Sequence, residues 1–217
     1  MKALAINGSP RKKWNTAMLL EQALAGAESV GAEAEIVHLY DFDYSGCTSC
    51  FACKKLGGKS YGLCAVKDGI TPILRRAAEV DVLILGSPIY FGTETGMMRS
   101  FMERLLFPFV TYTPGYASIF PGKLRSALVH TMNISEEALA PTGQDRRIEL
   151  TRSFMTRTFG NCEALLCYDT FQFPDYSKYV SSVWDAEAKA RRRAEVFPKD
   201  LQRAFEMGVG MAEAARV

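Results

Sequence analysis

Short apolar runs alternate with amphipathic stretches along most of this chain. Residues 2–6 form an apolar run of strand length, and across 15–30 the apolar positions Met18, Leu19, Ala23 and Ala27 recur at helical spacing. Residues 33–40 alternate polar and apolar as a half-buried strand does; 70–78 returns to helical spacing, and 81–85 reads as a buried strand. The same periods predict a helix over 94–107, a strand over 124–131, a helix over 145–159 and a fifth strand over 163–168. Two further helices, 184–195 and 199–216, are expected on either side of Pro198, which lacks the N–H that a helix interior needs. Strands alternating with helices predict an α/β protein with a mostly parallel sheet covered on both faces.

Composition narrows the picture. The chain has 217 residues, 48% hydrophobic and 23% charged, which suits one core and one domain over 1–217. Within it, 47–64 reads as a cysteine-rich insertion and 169–217 as a carboxy-terminal extension. A formal charge of +2 is far below what tracking a nucleic-acid backbone requires. The run Arg191-Arg192-Arg193 falls in a helical pattern and reads as a solvated face. Neither an apolar export segment nor a membrane-length stretch is evident, so the expectation is a cytoplasmic protein without membrane or nucleic-acid partners. In a reducing compartment its six cysteines would serve metal or redox chemistry rather than disulfides.

In an open α/β sheet ligands bind beyond the carboxyl ends of the strands, which directs attention to two loops. The first reads Asn7-Gly8-Ser9-Pro10-Arg11-Lys12-Lys13-Trp14-Asn15-Thr16. Its Gly8 permits a tight turn; Ser9, Arg11, Asn15 and Thr16 offer donors, and the following helix points unpaired N–H groups back into the loop, as a phosphate site requires. Taken alone, such a loop could equally be a helix cap. The glycines of the dinucleotide fingerprint are missing, and Gly58-Lys59-Ser60 fails as a triphosphatase loop because Cys53 stands where a glycine is needed. The second loop reads Gly86-Ser87-Pro88-Ile89-Tyr90-Phe91-Gly92 and offers flat rings beside free main-chain groups.

Together these loops resemble the NADPH-dependent FMN reductase and iron-sulfur flavoprotein group of the flavodoxin-like superfamily, over roughly residues 1–131. The resemblance implies a three-layer sandwich whose five parallel strands run in the order 2-1-3-4-5, with additional carboxy-terminal helices. It also implies an FMN whose phosphate is held by Ser9, Arg11, Asn15 and Thr16, with Pro88, Ile89, Tyr90, Phe91 and Gly92 along the isoalloxazine. Thr131 and Asn133, after the fourth strand, are further ring-side candidates. Trp14 departs from the small or polar residue usual there, and would either fold over the phosphate or help bury the loop.

Cys47, Cys50 and Cys53 bring three thiols within seven residues, spacing that is similar to an iron-sulfur motif, with Cys64 as a fourth ligand. The ten-residue gap before Cys64 is longer than that motif's, so three readings stand: a 4Fe-4S cluster, structural zinc, and thiols that bind nothing, the last ahead of the cluster. With only His38 and His130 available, an imidazole-centred triad has little material, and both read as structural. The chemistry then rests with the flavin. The expected function is an NAD(P)H-dependent oxidoreductase acting on FMN, a quinone or another small acceptor; the alternative is an electron carrier serving redox proteins. The aromatic segments 107–120 and 168–179 are expected to cover the ligand or a partner subunit of a homo-oligomer, a dimer or tetramer, or else to fold onto their own core.

Overall fold

The computed structural model describes residues 1–216. Its strands are β1 (Lys2–Asn7), β2 (Glu33–His38), β3 (Val82–Tyr90), β4 (Thr93–Glu94), β5 (Arg125–Thr131) and β6 (Glu163–Cys167). The helices are α1 (Asn15–Ser29), α2 (Thr71–Ala77), α3 (Gly96–Leu106), α4 (Gln144–Phe159), α5 (Ala186–Glu195) and α6 (Phe197–Ala214). The main sheet runs β2-β1-β3-β5-β6, with every neighbouring pair parallel. Setting aside the two-residue β4, this is the order 2-1-3-4-5 of a flavodoxin-like sandwich.

Period-two alternation divides the buried strands between two cores. Leu4, Ile6, Leu83, Leu85 and Leu128 face α2, α3 and α4, where they meet Ile73, Phe101, Met102 and Met155. Full burial of each such side chain contributes about 1.5–3 kcal/mol. On the opposite face Ala3, Ala5, Val82, Ile84, Ala127 and Val129 meet α1 and α6. Glycines on both helices let α1 and α6 sit close together. Their backbones nearly touch: a Cβ at Gly26 would run into the carbonyl oxygen of Phe205, and one at Gly208 into that of Ala23. Pro198 lies in the first turn of α6 rather than between two helices, a place where its missing N–H costs nothing.

The sequence pattern ends the third strand at Leu85, but the structure carries it on to Tyr90. The glycine and proline of this stretch read as loop punctuation, yet Gly86, Ser87 and Pro88 still pair with Val129, His130 and Thr131 of β5. Beyond them Ile89 and Tyr90 turn back antiparallel onto Glu94 and Thr93. Phe91 (φ 52°) and Gly92 (φ 84°) form the two-residue turn, both left-handed, the geometry that matches the twist of a tight hairpin.

The two aromatic excursions take different courses. Segment 107–120 folds largely on its own chain: Phe109 and Phe120 meet at 5.0 Å, Phe120 and Phe159 at 4.9 Å, and Val110 bridges Ser118. Segment 168–179 crosses the carboxyl edge of the sheet and reaches the first loop. Among the described residues, no helix is long and apolar enough to cross a membrane.

Candidate functional site

One cleft at the carboxyl edge of the sheet gathers Ser9, Arg11, Asn15, Thr16, Pro88, Ile89, Tyr90, Thr131 and Asn133, with Trp14, Met132, Thr170 and Gln172. Local geometry explains the first loop. Asn7 Oδ1 accepts the N–H of Ser9 at 2.9 Å and Ser9 Oγ accepts that of Arg11 at 3.1 Å, which curls the chain into the mouth of α1. Trp14 stands at the N-cap without a side-chain cap, and the first turn carries no acidic residue. The N–H groups of that turn therefore lack a side-chain acceptor and the helix dipole is uncompensated, which fits a phosphate dianion. Thr16 and Thr131 join the start of α1 to the end of β5 through their hydroxyls at 2.8 Å.

Thr95 braces the second loop. Its hydroxyl donates to Gly8 O at 2.7 Å and accepts the N–H of Met98 at 3.2 Å, capping α3, while its own N–H donates to Ser87 Oγ at 3.1 Å. Thus β1, β3 and α3 are tied at one point. Phe91 and Gly92 stand apart from the other ring-side candidates. They lie at the hairpin tip outside the cleft; Phe91 is 104% exposed, and Gly92 backs onto the guanidinium of Arg147.

The carboxy-terminal extension supplies part of this site. Phe171 O accepts from Trp14 Nε1 at 3.1 Å and from Asn15 Nδ2 at 2.9 Å, and Gln172 O accepts from Arg11 Nη1 at 2.5 Å. Trp14 stacks on Phe171 at 6.4 Å, so it helps bury the loop against that segment. Arg193 donates to Asn15 Oδ1 at 2.7 Å and lies over the ring of Phe197 at 4.1 Å. Buried Lys189 donates to Asn133 and to Asp169. Of the arginine run only Arg191 is the solvated residue expected: Arg192 pairs with buried Asp200 at 2.7 Å, and Arg193 turns to the first loop. Contacts over so many intervening residues leave no local sequence signal.

The family model for NADPH-dependent FMN reductases matches residues 1–117, more than half of the chain. This chain belongs to that family. Among curated relatives, an iron-sulfur flavoprotein of Archaeoglobus fulgidus is 42% identical over 104 residues, covering 48% of each chain. An iron-sulfur flavoprotein of Methanocaldococcus jannaschii is 36% identical over 104 residues, 48% of this chain and 51% of its own. The chain thus spans about half the length of the curated relatives it matches. Among solved structures, an NAD(P)H:quinone oxidoreductase from Methanothermobacter marburgensis superposes with a TM-score of 0.69 at 15% identity, over 96% of this chain and 98% of the other. The azoreductase AzrA does so with a TM-score of 0.63 at 15% identity, over 97% and 100%. These two likenesses concern the fold.

A second group of residues in this FMN reductase family member surrounds the cysteines. Cys47, Cys50, Cys53 and Cys64 line one small cavity walled by Phe51, Phe107, Pro108 and Arg104. Among the described residues no three ligating side chains converge on a point where one metal ion would sit. A single zinc ion needs four ligands drawn in to about 2.0–2.3 Å. Arg104, 1% exposed, closes the excursion at both ends. Its guanidinium donates to Ser45 O at 3.1 Å, Val66 O at 3.2 Å and Asp68 at 2.5 and 3.0 Å, while Nε donates to Cys64 Sγ at 3.4 Å. The Asp68 carboxyl is held below its ordinary range, chiefly by that guanidinium. Burial raises the Cys53 thiol.

Sequence reasoning placed Glu94 in a helix and read His130 as structural. The structure buries them together beneath the β3–β4 hairpin, with Glu94 3% exposed and His130 fully buried. Nε2 of His130 faces the Glu94 carboxylate, and its Nδ1 makes no hydrogen bond among the described residues. His38 instead sits by the first loop, its Nδ1 2.9 Å from Asn7 Nδ2.

Proposed function

We propose that this chain binds FMN in the cleft at the sheet edge and is an NAD(P)H-dependent oxidoreductase acting on a small acceptor, either free flavin or a quinone. The observation that carries this reading is the convergence of nine residues from three separate strand ends on one cleft at an uncapped helix N-terminus. Ser9, Arg11, Asn15, Thr16 and the first turn of α1 would hold the phosphate; Pro88, Ile89, Tyr90, Thr131 and Asn133 would flank the ring. FMN, when bound, supplies two-electron chemistry with nicotinamide and one-electron steps with other partners. The protein's part is to orient the ring and to place main-chain donors beside it; no side chain is assigned as acid or base. Phe91 at the hairpin tip is fully exposed, which supports a homo-oligomer in which a neighbouring copy covers it.

The cysteine cavity favours a second reading, that electrons also pass to redox proteins. There Cys47, Cys50, Cys53 and Cys64 would hold a 4Fe-4S cluster, as the names of the curated relatives suggest. Such a cluster supplies one-electron transfer, and Arg104 would position Cys64 beside it.

Flavin titration followed by fluorescence quenching tests the site. Replacing Arg11 and Asn15 together with alanine should weaken FMN binding at least tenfold, and unchanged affinity overturns the assignment. Fast bleaching of bound flavin by NADPH or NADH supports the reductase, while bleaching only by a reduced ferredoxin favours the carrier. Iron and sulfide analysis after anaerobic purification decides the cluster.

A further inference from the structure

A second and larger cavity opens on the α3–α4 side of the sheet and shares no residue with the FMN cleft. Its volume is about 620 Å³, within the roughly 300–1,000 Å³ usual for small-molecule sites. Buried Met102 and Leu106 of α3 form part of its lining, and Phe107, Tyr112, Tyr116 and Phe154 present aromatic surface to it.

The walls are held in place. Lys54, from the cysteine excursion, donates to the carbonyls of Phe107 and Val110 and lies 4.3 Å from the Phe107 ring. Thr111 N–H donates to Ala117 O at 2.9 Å, Ile119 N–H to Phe109 O at 2.8 Å, and Ser118 Oγ to Thr158 O of α4 at 2.8 Å. A preformed concave site loses less ordering entropy on binding than a mobile surface does.

The charge at the cavity is biased. Arg157 is exposed, stands 5.8 Å from the Tyr116 ring and has no carboxylate partner among the described residues. Arg99 has only Glu94, at 3.5 Å. The one lining carboxylate, Glu103, accepts the N–H of Cys47 at 3.0 Å. Aromatic walls with guanidinium groups beside them favour a flat ring system that carries negative charge.

We infer that this cavity is a second ligand site, for a planar aromatic acceptor of the quinone class bearing an anionic group. Calling the ligand an acceptor rests on the oxidoreductase reading above; the binding itself does not. Cys47, Glu103 and Phe107 line both this cavity and the four-cysteine cavity, so a bound ring would lie against the wall that the two share.

Anthraquinone-2-sulfonate is a suitable probe, being planar, anionic and unreactive toward thiols. Calorimetric titration of the FMN-loaded protein should give saturable binding, retained in protein stripped of FMN. Phe154→Ala and Arg157→Gln, both at exposed positions of α4, should each weaken it at least tenfold while leaving FMN affinity unchanged. The inference is overturned if the probe fails to bind, if binding disappears with the flavin, or if both variants bind as the unmodified protein does. It is also overturned if sedimentation shows that the variants dissociate an oligomer and only the dissociated form takes up the probe, since a second copy would then be the occupant. Failure of the oxidoreductase reading has a different signature: probe binding persists, but neither nicotinamide bleaches the flavin.

Discussion

His130 Nε2 and Glu94 Oε1 stand 3.3 Å apart, each side chain almost fully buried under the hairpin beside the cleft at the sheet edge. Burial alone would raise the Glu94 pKa. The neighbouring imidazole, helped by hydrogen bonds from its own backbone N–H and from Thr93, outweighs this and brings it to about 2. A carboxylate held below its unfolded value stabilises the fold fully above about pH 4.5, and that contribution is lost as pH falls toward 2. Glu94→Gln should therefore cost about 3 kcal/mol at neutral pH, because it removes the negative charge that faces the buried imidazole. Urea denaturation between pH 3 and 7 checks this, and the gap between variant and parent should narrow as the medium becomes more acid.

Two glycines of α6, two residues apart, should respond oppositely to alanine. Gly208 has the backbone of Ala23 where a methyl group would go, whereas Gly210 has nothing within 4 Å. Gly208→Ala should lower stability by about 1–3 kcal/mol through overpacking. Gly210→Ala should raise it by about 0.5–1 kcal/mol, the ordinary gain at an open helix position. Equilibrium unfolding of both variants reads the difference directly.

Phe91 pairs a left-handed backbone with a fully exposed ring. Relieving that backbone is worth about 1–2 kcal/mol, against about 0.5–1 kcal/mol for the extra freedom of an unfolded glycine. Phe91→Gly should thus leave stability unchanged or slightly higher. If the ring serves an acceptor or a neighbouring copy, the same change should slow NADPH-dependent turnover about tenfold. Thermal melting and steady-state rates separate the two effects.

Removing Arg104 leaves Asp68 partly buried without its guanidinium and frees both ends of the cysteine excursion. Arg104→Met should cost about 3–5 kcal/mol and, by loosening the excursion, speed tryptic cleavage after Lys54, Lys55 and Lys59, with Arg104→Lys intermediate. Mass spectrometry of early tryptic fragments gives the order.

Local signals carried most of the fold. Leu4, Leu83 and Leu128 sit in apolar runs whose period needs no distant partner, and the first loop announces itself through Gly8, Ser9 and the start of α1. What stayed hidden depends on distant pairing. Gln172 reaches the cleft from the far end of the chain, and Phe171, Lys189 and Arg193 bond residues that line it. Three consecutive arginines look alike to any periodicity, yet burial of Arg192 against Asp200 and of Arg193 against Phe197 sets them apart from Arg191. Glu94 has a helical neighbourhood in sequence, but the turn at Phe91–Gly92 draws it into a strand.

The hydrogen bonds from Arg11, Trp14 and Asn15 to the carbonyls of Phe171 and Gln172 set a timetable for biosynthesis. A ribosome releases the first loop early, but the segment that latches it leaves the exit tunnel only after some 160 further residues have been made. If this loop holds the flavin phosphate as proposed, a nascent chain would bind the cofactor loosely until translation has passed that point, and flavin loading would be one of the last events in its maturation.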